Sequence, residues 1–143
     1  MPRRSYEETV DVAVPPEVVW EVLRDVEAWP RWTASMTSVE LVTDGPLREG
    51  SMAKVKQPKL PLATFVVDRY DEGRSFSWTA ASSGVRSTGD HRVEAAPGGS
   101  RATLVLHQDG PLAGLVGLAY AKLIRRYVRM EAEGLKREAE SRA

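Results

Sequence analysis

The chain has 143 residues with 20 basic and 20 acidic side chains, and this zero formal charge argues against nucleic-acid binding by bulk electrostatics. It contains no cysteine, which removes disulfides, thiolate metal sites and cysteine nucleophiles. No segment approaches the ~20 apolar residues of a membrane span and no signal-type run follows Met1, so a single soluble, cytoplasmic domain over residues 1–143 is expected.

Residues 6–14 alternate, with Val10, Val12 and Val14 on one side and Thr9, Asp11 and Ala13 on the other, as in a half-buried strand. Pro15 and Pro16 end it. Pro16 and Glu17 suit the first turn of a helix, where proline sacrifices no hydrogen bond and an acid favours the dipole. Val18, Val19, Val22, Leu23 and Val26 give that short helix its apolar side. Proline then limits the stretch from Ala28 to Trp32 to a short turn that presents Trp29 and Trp32, as a plug between helix and sheet or as one end of a pocket.

Six further strands follow at hairpin spacing: 36–43, 50–56, 64–70, 75–81, 85–95 and one defined by Ala102, Leu104 and Leu106. Turn signals separate them at Asp44-Gly45-Pro46, Gln57 to Pro61, Asp71 to Arg74, Ser82-Ser83-Gly84 and Ala96 to Ser100. Alternation groups Phe76, Trp78 and Ala80 on one face, and Gly89, His91 and Val93 on another. Adjacent Asp68 and Arg69 point oppositely in a regular strand, so only one of them reaches any single face.

From 112 to 142 a helical period runs unbroken. At ~100° per residue, Val116, Tyr120, Leu123, Ile124, Tyr127, Val128, Met130 and Leu135 share a broad apolar side, while Lys122, Arg125, Arg126 and Arg129 lie opposite. About thirty residues reach roughly 45 Å. A solvated outer face with Arg129/Glu133 and Glu133/Arg137 pairs is the expectation for the basic side, ahead of contact with membrane or nucleic acid. Glu131 and Gly134 interrupt the apolar side. Either Glu131 pairs with an arginine such as Arg69 or Arg92 while Gly134 admits a neighbouring backbone, or both face a cavity.

Strand, two short helices, six strands and a long helix describe an α+β fold in which a seven-stranded, curved antiparallel sheet grips the terminal helix. A curved sheet holds a helix incompletely, and the space left between them suits a ligand. The residues Val14 to Trp20, Trp29 to Trp32, Gly45 to Gly50 and Gly99 to Thr103, in this order, resemble the START/Bet v 1-like (SRPBCC) superfamily, and within it the polyketide cyclase/dehydrase-like group. That resemblance implies a deep apolar cavity for lipids, polyketides or similar molecules. It implies no cofactor, and leaves open whether a member binds, cyclises or, like co-chaperone relatives, contacts proteins.

Residue chemistry narrows this only partly. There is no G-x-S-x-G elbow and no Gly-rich phosphate loop, and His91 and His107 fall on different faces, so no metal site is expected. Glu131 and His91 are the candidate acid and base, with Tyr70, Tyr120 and Tyr127 as further polar groups; an unpaired buried Glu131 would have a raised pKa. The candidate wall comprises Trp29, Trp32, Phe65, Phe76, Trp78, Leu123 and Met130, with Gly134 giving room.

Overall fold

The computed structural model describes residues 4–82 and 84–143. Met1 to Arg3 of the expected single-domain range, and Ser83 in the expected 82–84 turn, lie outside the described residues. The elements are β1 (Arg4–Val12), α1 (Pro16–Arg24), a 3-10 helix (Val26–Arg31), β2 (Ser38–Leu41), β3 (Met52–Lys56), β4 (Ala63–Asp71), β5 (Ser75–Ser82), β6 (Val85–Ala96), β7 (Gly99–Asp109) and α2 (Ala113–Ser141).

The seven strands form one antiparallel sheet in the order β1-β7-β6-β5-β4-β3-β2. Only β1 departs from hairpin order: α1 and the 3-10 helix carry the chain from it to β2 at the opposite edge. Side-chain alternation puts Val12, Val55, Val67, Phe76, Trp78, Val93, Ala102 and Leu104 on the inner face, all buried, and α2 lies across that face against β1, β7 and β6. Pro16 opens α1, Glu17 sits in its first turn, and Val19, Trp20, Val22 and Leu23 are its buried side.

Two local expectations are corrected. The register shifts between Val67 and Arg69, so β4 bulges at Asp68 and strict alternation fails there. Asp68 and Arg69 are both exposed, and Asp68 accepts a 2.7 Å hydrogen bond from Thr79 Oγ1. Neither the Arg129/Glu133 nor the Glu133/Arg137 pair forms among the described residues; the ion pairs of α2 lie one turn later, Lys136 to Glu140 at 2.8 Å and Arg142 to Glu138 at 3.0 Å. Tyr120, placed on the apolar side by the helical period, keeps that side and is 40% exposed.

Candidate functional site

Between α2 and the inner face of the sheet lies a cavity of about 330 Å³. Its walls come from β3 to β7, α2 and the β3–β4 loop. A residue without a side chain helps make the space: a Cβ on Gly89 would stand 3.1 Å from Trp78 Nε1 and 3.2 Å from His91 Cε1. Leu104, Leu106 and Gln108 alternate inward on β7 along the floor, and Val116, Tyr120, Ile124, Tyr127, Val128 and Glu131 form the helical wall. The expected lining residues Phe65, Trp78, Tyr120 and Tyr127 therefore meet here, together with Glu131 and His91.

Glu131 is the unusual member. It makes no hydrogen bond or ion pair among the described residues, and Arg92, one expected partner, binds Asp90 at 2.7 Å instead. The carboxyl is enclosed by protein, yet Glu131 keeps accessible surface, and that surface belongs to the cavity it lines. Burial without a counter-charge pushes its pKa up to about 8, so near neutral pH it is mainly an uncharged acid and a hydrogen-bond donor.

His91 is buried in an aromatic cluster, stacked on Phe76 at 4.4 Å and edge-on to Trp29 at 5.1 Å and Trp78 at 5.7 Å. Its Nδ1 lies 3.2 Å from the Phe76 carbonyl oxygen, an acceptor only, which assigns the proton to Nδ1 and leaves Nε2 as the acceptor. Burial holds its pKa down at about 4, so the ring is neutral.

Other expected site residues stand elsewhere. Trp29 and Phe76 are fully buried behind His91 and Trp78, and Trp29 donates to the Leu23 carbonyl at 3.0 Å, so both support the wall from behind. Trp32 packs on Trp29 at 5.5 Å. Its backbone carbonyl fills the space beside Gly134, where any Cβ would collide with it. Gly134 thus admits the Trp32 backbone against α2 and does not line the cavity. Tyr70 lies by α1, edge-on to Trp20 and donating to Glu72 at 2.6 Å; burial and that carboxylate push its pKa up to about 12. Leu123 and Met130 are half-buried on the flank of α2, outside the lining.

Two polar groups at the other end of the cavity were not singled out from the sequence. Gln108 donates to Ser87 Oγ at 3.4 Å, and both line the cavity. Gln108 continues the inward alternation of Leu104 and Leu106, a signal that was available in the sequence. The β3–β4 loop adds Gln57, Leu60 and Pro61, and Tyr127 ties that loop to α2 by donating to the Pro58 carbonyl at 2.6 Å.

A curved sheet closed over a long helix, with a ligand-sized hollow between them, defines a helix-grip protein of the SRPBCC, Bet v 1-like type. The chain belongs to the family described as polyketide cyclase/dehydrase and lipid transport, whose model matches residues 3–140. An uncharacterized protein of Mycobacterium tuberculosis is 30% identical over 107 residues, covering 72% of this chain and 64% of that one, so the chain spans under two thirds of that relative's length. A putative polyketide cyclase of Streptomyces halstedii is 33% identical over 97 residues, 64% of this chain and 75% of that protein. Among solved structures, the Zhui aromatase/cyclase from Streptomyces sp. R1128 superposes with a TM-score of 0.80 at 21% identity, covering 99% of this chain and 96% of that one. Ara h 8.0201 gives 0.71 at 19% identity, with 98% and 99% coverage. At these identities the structural likeness speaks for the fold.

Proposed function

We propose that the protein binds a hydrophobic small molecule, polyketide-like or lipid-like, in the cavity between α2 and the sheet. The observation that carries this reading is the cavity itself: about 330 Å³, walled by Phe65, Trp78, Leu104 and Ile124, with few polar groups to orient a guest. Membership of a family of polyketide cyclases/dehydrases and lipid carriers agrees with it.

The unpaired Glu131 carboxyl favours a second reading, that of a polyketide cyclase or aromatase. A folded poly-β-ketone in this cavity would meet a neutral acid able to polarise one carbonyl and, at His91 Nε2, a lone pair able to take an α-proton. The resulting enol carbon attacks the polarised carbonyl, and the hydroxyl formed leaves as water. Native mass spectrometry after incubation with a poly-β-ketone separates the two. A binder yields a one-to-one complex of unchanged mass. An enzyme yields a product lighter by one water, and E131Q abolishes that loss while still binding. If no complex and no product form, both readings fail.

A further inference from the structure

The outer face of α2 carries a pattern that the cavity does not explain. At ~100° per residue, Leu115, Leu118, Lys122, Arg126 and Arg129 fall within about 40° of a single line on the side turned away from the sheet. Leu115 is 69% and Leu118 74% exposed, the two most exposed large apolar side chains among the described residues. The three cations are exposed as well and make no ion pair among the described residues. The β3–β4 loop presents Leu62, 58% exposed, next to Pro61, and Pro61 and Tyr120 both line the cavity. Exposed leucines thus stand on the loop and on the helix that border the cavity, and a run of cations without an intervening acid continues along the helix from Leu118.

We propose that this end of the molecule docks on an anionic phospholipid bilayer, with Leu62, Leu115 and Leu118 entering the headgroup boundary while Lys122, Arg126 and Arg129 lie over lipid phosphates. No helix among the described residues is long and apolar enough to cross a membrane, so the contact is interfacial. Several cations on one face attract an anionic surface over about a Debye length, and short apolar side chains beside them supply the second signal that stable anchoring requires. A hydrophobic guest concentrates in the bilayer, and docking through the helix and loop that border the cavity brings the cavity close to it. A protein interface of ordinary chemistry is anchored by outward-facing aromatic side chains, whereas the apolar side chains on this outer line of α2 are Leu115 and Leu118, and the 40% exposed Tyr120 is turned to the cavity.

The absence of cysteine makes a direct test available. L118C labelled with an environment-sensitive fluorophore, mixed with vesicles of 70% phosphatidylcholine and 30% phosphatidylglycerol, should shift its emission to the blue, while the same label on the exposed β6 position E94C should not. In co-sedimentation, the unlabelled protein should bind these vesicles at least tenfold more tightly than pure phosphatidylcholine, and L115E/L118E and K122E/R126E/R129E should each lose at least tenfold. These surface substitutions leave the buried core untouched. The proposal is overturned if the protein stays in the supernatant, if the E94C label responds as strongly as the L118C label, or if L115E/L118E sediments like the wild type. It is equally overturned if those leucines instead mediate a dimer that the double substitution dissociates. Each readout is independent of whether the cavity holds a guest.

Discussion

Tyr127 on α2 donates its phenol to the carbonyl of Pro58 at 2.6 Å, joining the helix to the β3–β4 loop. Both partners border the hollow: the Tyr127 ring is part of its wall, and the loop supplies Gln57, Leu60 and Pro61. One hydrogen bond therefore ties a lining loop to the helical wall.

Tyr127→Phe keeps the ring and removes the tie. The expected cost is about 1 kcal/mol of stability, the net worth of one such bond. Ligand release should accelerate by more than ligand affinity falls, because the loop opens more often while the wall is unchanged. Urea denaturation and stopped-flow fluorescence read the two quantities. An unchanged release rate would mean that the loop does not gate the cavity.

The pH dependence of stability follows from two buried groups. Glu131, raised from 4.5 to about 8, favours the folded state below pH 4.5 and loses that contribution as pH climbs to 8. His91, lowered from 6.5 to about 4, contributes fully above pH 6.5 and loses its contribution as pH falls to 4. The two slopes oppose each other between pH 4.5 and 6.5, and only the Glu131 loss remains between 6.5 and 8. E131Q should therefore gain on the wild type by up to about 1.4 kcal/mol per pH unit through this window. Parallel stability curves for the two proteins would show that Glu131 is charged and compensated in the fold.

Much of this was legible in the sequence, for identifiable reasons. Val10 and Val12, and Phe76, Trp78 and Ala80, announce their strands because each has one buried face and a side-chain period of two. The bulge at Asp68 was not legible, since an inserted residue leaves no mark in an alternating exposed stretch. At Glu131 and Gly134 the helical period gave their side of α2 but not their neighbours: one faces the hollow and the other meets the Trp32 backbone. Trp29 and Phe76 read as wall residues because composition cannot separate the layer that touches a guest from the layer behind it. Leu115 and Leu118 lie opposite the buried side of α2, so their exposure follows from the helical period itself.

Gly134 yields a prediction whose sign distinguishes its two environments. Alanine at a cavity-facing helical position stabilises by up to about 1 kcal/mol through helix propensity. Here the added methyl collides with the Trp32 carbonyl, so Gly134→Ala should destabilise by roughly 1–3 kcal/mol. A rise in the thermal midpoint would place Gly134 against open space.

The central claim is a guest-sized hollow between α2 and the sheet, and Trp78 and Ala80 on β5 both line it. The most direct test is a tryptophan-emission titration with a flat aromatic polyketide, run on the wild type and on A80W, whose added indole fills much of the space. The account predicts saturable one-to-one quenching in the wild type and its loss in an A80W protein that remains folded by circular dichroism. Equal quenching in both proteins, or none in the wild type, would contradict it.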